Sequence, residues 1–206
     1  GGSEMKGLLL KDFYLTKSVL CINLAIFIVI GVALSFFTST WVLTVLATIM
    51  LGTVSVSTIN MDKTSGWYKF SGVIPVSKKS VVESKYALYI LLSGVGCIFG
   101  VALGVVTSLL KNQLDYGTML MFVCISLAIS LISGSITIPC NFLLSDEKST
   151  LSVVISYPLS AATFAGTFLL FDNKQVACGV AALLGIILFV LSWRITRRFI
   201  AAKDTV

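Results

Sequence analysis

Ser18–Met61, SVLCINLAIFIVIGVALSFFTSTWVLTVLATIMLGTVSVSTINM, runs for 44 residues without an Asp, Glu, Lys or Arg. A helix that crosses a bilayer needs about 20 such residues, so this stretch accommodates two crossings joined by a turn near Ser39. Further charge-free runs lie between Lys85 and Lys111 (25 residues), Asp115 and Asp146 (30), Lys148 and Asp172 (23), and Lys174 and Arg194 (19). The pattern predicts an all-α, polytopic membrane protein with six transmembrane helices at about 18–37, 41–61, 86–110, 117–138, 151–171 and 176–193. The composition agrees, because the chain is 57% hydrophobic and 12% charged, whereas soluble domains carry about 25% charged residues. Residues 1–4, Gly-Gly-Ser-Glu ahead of Met5, read as an expression remnant, which leaves 5–206 as a single transmembrane domain.

Basic residues near span ends stay in the cytoplasm. With both termini cytoplasmic, thirteen of the fifteen Lys and Arg residues fall inside, leaving Lys111 and Lys174 outside. The net charge of +6 then reflects topology and contact with anionic lipid headgroups, and not nucleic-acid binding. The outer connections are short. The inner connection Asp62–Lys85, by contrast, is 24 residues long, beyond the usual length of a plain linker.

Several function classes lose support. The chain has no histidine and no intramembrane carboxylate to activate a Ser or Cys nucleophile, so intramembrane catalysis lacks its base. The cysteines at 21, 97, 124, 140 and 178 all lie in apolar runs, which argues against a disulfide framework. No G-x-x-x-x-G-K-[ST] stretch occurs, so ATP and magnesium would have to be used by a partner, with no cofactor bound by this chain. The spans also read as lacking a buried charged residue, which ion-coupled carriers place at membrane depth.

Within the long inner loop, Asp62 or Thr64 can cap a short helix on which Trp67, Phe70 and Ile74 recur at helical spacing, with Lys63 and Lys69 facing away. Ser71-Gly72 can stop it, Pro75 fixes a turn, and Ser77 can cap a helix that runs through Lys78 and Lys79 into the third span. The same residues also suit an interfacial helix whose Trp67 and Tyr68 sit at headgroup level. Gly96, Gly100 and Gly104 repeat every fourth residue, a stripe that permits close helix approach, chiefly within the chain. Pro139 and Pro158 can bend their spans. Met5–Lys17 has the makings of an interfacial elbow, although Leu10 and Phe13 fall beside Lys6 and Lys17 on a helical wheel.

Asp62–Tyr86, DKTSGWYKFSGVIPVSKKSVVESKY, resembles the cytoplasmic loop of small bacterial ABC-2 family permeases. That family shows an acidic-Lys-x-x-Gly-aromatic opening, a Leu-Pro pair (here Ile74-Pro75), a Ser with basic residues, and Ser-Lys-Tyr at the next span. Leu8–Tyr14, LLLKDFY, is similar to the segment before the family's first span. Pro139, Phe142 and Glu147-Lys148 stand where the family tends to have Pro, an aromatic and Glu-Lys, although Ser145-Asp146 and Ser149-Thr150 depart from its usual Gly and Arg. The resemblance covers Met5 to about Arg198 and extends to exporters of peptides, phenol-soluble modulins and bacteriocins.

It implies the membrane permease subunit of an ABC exporter, not itself an enzyme, in the bacterial cytoplasmic membrane. Such a subunit pairs with a second permease subunit, as homo- or heterodimer, and with separate ABC ATPase subunits. The ATPase-coupling loop would comprise Asp62, Lys63, Gly66, Trp67, Tyr68, Lys69, Phe70, Ile74, Pro75, Lys78 and Lys79. Of these, Trp67, Tyr68, Phe70 and Ile74 would form the docking face, and the lysines would meet acidic residues or lipid phosphate. A second cytoplasmic loop would contain Asp146, Glu147 and Lys148. The cargo that the resemblance implies is peptides, including amphipathic or antimicrobial ones, with drugs or lipids as alternatives; the spans' Ser, Thr, Asn23, Asn60, Asn141 and aromatics would line a cavity without fixed charge. Two other readings compete: a membrane immunity or sensory protein on the same scaffold, and an ion-coupled secondary carrier, which should show internal repeats and a midplane charge.

Overall fold

The computed structural model describes residues 2–35, 39–67, 77–112, 115–144 and 146–202. Among them are six helices and no strand: α1 Gly2–Ser35, α2 Val42–Thr64, α3 Lys78–Leu110, α4 Tyr116–Leu143, α5 Asp146–Leu170 and α6 Lys174–Ala202. All six are long and apolar enough to cross a membrane. The helices outrun the spans bounded by charges, because α1, α3 and α6 continue through Lys11, Asp12, Lys85 and Arg194. Local partners, or the reach of long side chains to the bilayer surface, accommodate those charges. Met5–Lys17 is part of α1 and forms no separate elbow.

Helices α2, α3, α4 and α6 make the core of the bundle, with α1 laid against α2 and α3, and α5 against α4 and α6. Lipid is as apolar as Leu, so tight packing and interhelical polar contacts hold such a bundle together. The glycine stripe supplies the close packing. A Cβ on Gly96 would stand 2.6 Å from the Ala47 carbonyl oxygen, and one on Gly100 2.6 Å from Thr44 Cα, while one on Gly104 would meet the Trp41 ring at 3.0 Å. The α2 backbone occupies the space side chains would need, so the stripe joins α2 to α3 within one chain.

Polar contacts supply the rest. Tyr86 Oη meets Ser192 Oγ (2.8 Å) and Thr196 Oγ1 (3.0 Å), Tyr89 Oη donates to the Ser130 carbonyl (2.7 Å), and Ser192 Oγ donates to the Ser135 carbonyl (2.6 Å). These bonds join α3, α4 and α6 to one another around a core of Val56, Ile59, Val82, Tyr86, Tyr89, Ile138 and Phe189. Many other span hydroxyls return to carbonyls three or four residues back, as with Thr48 to Thr44 and Thr137 to Ser133, the usual resolution for Ser and Thr inside helices.

Ser77 caps α3 by accepting from the Ser80 amide. Asp115 caps α4 by accepting from the Gly117 amide and the Thr118 hydroxyl. Pro139 and Pro158 lie inside α4 and α5.

Candidate functional site

The 24 residues singled out between spans two and three begin inside α2. That helix runs through Thr64, so Asp62 and Thr64 belong to its last turn and do not cap a following helix. Ser65 is the C-cap, and Gly66, at φ 73°, carries the chain out in the left-handed conformation that glycine adopts without steric cost. Tyr68, Lys69, Phe70, Ile74 and Pro75, and with them the amphipathic coupling helix, lie outside the described residues. Lys78 and Lys79 open α3. Asp146, Glu147 and Lys148 form the first turn of α5, which shortens the second inner loop; their side chains lie outside the described set.

Where the loop leaves α2, the structure gathers charges from three distant segments. Lys85 Nζ donates to Asp12 Oδ2 (2.8 Å) and Thr58 Oγ1 (3.0 Å), and stands 2.6 Å from Asp62 Oδ2 in an ion contact without hydrogen-bond alignment. Lys11 Nζ donates to Asp62 Oδ1 (2.6 Å) and lies 3.3 Å from Asp12 Oδ1. Asp12, Asp62 and Lys85 are each at most 2% exposed. The indole of Trp67 closes the set from the loop side, with the Lys11 ammonium 4.1 Å from its ring centre, a cation–π contact. Thr58 Oγ1 in turn donates to the Ser55 carbonyl (2.7 Å), and Thr16 to that of Asp12 (2.8 Å).

Sequence reading missed this set. Three ionisable side chains are buried at the ends of the expected spans, because counting charges as span boundaries placed positions 12, 62 and 85 just outside the membrane and said nothing of their burial in protein. The signal available was the resemblance itself, since Lys11-Asp12 lies in one of the stretches that carry it, Leu8–Tyr14, and Asp62 and Lys85 at the two ends of another, Asp62–Tyr86. Lys63, expected to face away, reaches across to α4 and donates to the Leu144 carbonyl (2.9 Å), tying the start of the first inner loop to the start of the second. Ser149 Oγ adds a contact to Asn60 Oδ1 (3.4 Å).

Two positive and two negative groups so placed attract strongly in a low dielectric. Desolvation offsets much of that gain, so the set adds modest stability while making removal of one member costly. It suits a fixed junction better than a proton relay, because every charge is paired and the set sits at the end of the bundle that carries both termini, away from mid-span. Two of the residues expected to line a cargo cavity are engaged within the chain: Asn141 is fully buried with its amide on the Thr137 carbonyl, and Asn60 accepts from Ser149. Among the described residues no group of three or more His, Cys, Asp or Glu could hold a metal ion.

A family profile described as ABC-2 family transporter protein matches residues 7–201. The chain belongs to the ABC-2 transporter family. An ABC-2 permease is a multi-pass membrane subunit of an ABC transporter, and membership implies association with an ATPase subunit. The match takes in all four charges of the buried set. No curated protein and no solved structure matches the chain.

Proposed function

We propose that this ABC-2 permease is the membrane half of a bacterial exporter of amphipathic peptides. It works as a dimer with two separate ATPases that dock on the cytoplasmic loop 65–77, both termini being cytoplasmic. The buried charge set carries this reading. The loop leaves α2 three residues after Asp62 and rejoins the bundle at α3, where Lys85 lies seven residues beyond Lys78. Because Asp12, Asp62 and Lys85 bind α1, α2 and α3 at this level, a push on the loop moves three helices together instead of bending one. Short loop elements held on rigid spans act as levers in this way.

Trp67 belongs to the lever twice over on this reading, covering the Lys11 ammonium and beginning the aromatic face offered to the ATPase. The cargo path forms between two subunits, which fits the packed interior of the single chain. Apolar contacts distinguish similar cargoes by only about 1 to 3 kcal/mol, so selectivity is broad.

The test is co-expression with a candidate ABC ATPase subunit and measurement of hydrolysis in proteoliposomes. Replacing both Trp67 and Phe70 by Ala should release the ATPase while the permease remains inserted, since interface anchors contribute on the order of 2 kcal/mol or more each. Stoichiometric ATPase retained on the double variant would refute the docking assignment.

A further inference from the structure

At the end of the bundle that carries both termini, α3 and α6 leave an open basin of about 520 Å³ lined by Lys79, Trp193, Arg194, Arg197 and Arg198. Directly beside it, sharing Trp193 and Arg197, runs a second hollow of about 440 Å³ whose lining includes Tyr86, Ala87, Ile90, Phe189 and Val190. The two adjoin at Trp193 and Arg197, the first basic and the second mostly apolar, with Met5 of α1 and Glu83 also on its wall. Arg197 Nε pairs with Glu83 at 3.1 Å and its guanidinium lies over Trp193, whereas Lys79, Arg194 and Arg198 make no ion pair with any described residue.

We propose that this hollow is a binding site for one anionic phospholipid, with the headgroup phosphate among Lys79, Arg194 and Arg198 and an acyl chain laid along the α3–α6 groove. Spacing supports it. Lys79, Glu83, Ala87 and Ile90 follow one another at helical repeats on one face of α3, and Val190, Trp193, Arg194 and Arg197 do so on α6. From Lys79 to Ile90 the helix rises about 16 Å, close to half the roughly 30 Å hydrocarbon core, so the hollow spans one leaflet from headgroup level inward. Four cations against one carboxylate, itself already paired, leave an excess of positive charge that suits a phosphodiester, and best a lipid bearing two.

Other occupants fit less well. A second copy of this chain meeting the basin across a two-fold axis would bring like charges together. A soluble acidic partner would fill the basin but could not reach the apolar floor below headgroup level. A free phosphate ion would leave the groove empty.

Native mass spectrometry of the full chain released from detergent tests this, with phosphatidylglycerol, cardiolipin or phosphatidylcholine added in turn. Anionic lipid should be retained over phosphatidylcholine. R194Q/R198Q should reduce that preference on the order of 25-fold, from about fivefold per charge, and A87F, which fills the groove, should weaken retention of anionic lipid while leaving the basin charges in place. Excess inorganic phosphate or glycerol phosphate should fail to displace the lipid. In vesicles, brominated phosphatidylglycerol should quench more tryptophan fluorescence than brominated phosphatidylcholine, and W193F should abolish the difference; this readout leaves the basin's cations in place. An unchanged preference in R194Q/R198Q, displacement by the tailless phosphates, or equal quenching by the two brominated lipids would overturn the proposal. So would self-association of the wild type that R194Q/R198Q abolishes, which would assign the basin to a second copy.

Discussion

Replacing Lys85 by Met keeps most of the side-chain volume and removes the one cation that touches both buried carboxylates and Thr58. Asp12 and Asp62 are then left at most 2% exposed, with only the more exposed Lys11 between them. Removing one partner from a buried pair costs about 3 to 5 kcal/mol, chiefly because the remaining charge is desolvated without compensation. For a chain of this size that corresponds to a fall of roughly 6 to 20 °C in the unfolding midpoint, measurable by thermal unfolding in detergent. The double variant K85M/D62N removes one charge of each sign, leaving Lys11 with Asp12, and should recover at least half of the loss. A thermodynamic cycle over the two sites should therefore show coupling of more than about 1 kcal/mol, as expected for residues in one network. An unfolding midpoint for K85M equal to the wild type, or additive effects in the cycle, would refute the network.

Other predictions are narrower. G96A and G100A should each destabilise the bundle by about 1 to 3 kcal/mol, because the added methyl meets α2 backbone, whereas G94A and G179A, with nothing within 4 Å of the new Cβ, should not; thermal unfolding of the four variants checks this. Single-cysteine labelling in intact cells should place position 79 and position 203 inside and position 113 outside, and outside labelling at 79 would reverse the orientation and remove the coupling loop from the ATPase. Asp115 is held below its ordinary pKa of 3.8 first by the Thr118 hydroxyl and then by the Gly117 amide. Its cap is therefore fully formed above pH 3.8 and is lost as pH falls through the lowered value. The stability difference between wild type and D115A should accordingly be constant from pH 7 to about 5 and shrink toward zero in stronger acid.

The six helices were legible because one physical quantity, the length of charge-free sequence, fixes a membrane crossing almost by itself. The same quantity misled at the ends. A charge at a span boundary looks alike in sequence whether it points to water or into protein, and Asp12, Asp62 and Lys85 point into protein. Their partners stand 73 and 51 residues away along the chain for Lys85–Asp12 and Lys11–Asp62, distances over which no helical period carries information. Resemblance to a family brought Leu8–Tyr14 and Asp62–Tyr86 to notice without saying that they touch. The Gly96, Gly100, Gly104 stripe was legible as a close-packing face but not as to its partner, because the opposing surface is α2 backbone at Ala47 and Thr44, which carries no side-chain signature. The α3–α6 hollow was not legible: Arg194, Arg197 and Arg198 entered only the count of inner basic residues, and the groove beneath needs the register of one helix against another.

On the proposed function, the α2–α3 loop passes ATPase motion to a junction clamped by Asp12, Asp62 and Lys85. The most direct measurement is ATP hydrolysis by the purified permease–ATPase complex in proteoliposomes, with amphipathic helical peptides, their scrambled counterparts of equal hydrophobicity, and sugars as candidate cargo. Stoichiometric ATPase subunits should co-purify, peptide and scramble alike should stimulate hydrolysis while sugars do not, and K85M should retain bound ATPase but lose the stimulation. Failure of any ATPase to co-purify, or stimulation in K85M equal to that of the wild type, would contradict the account.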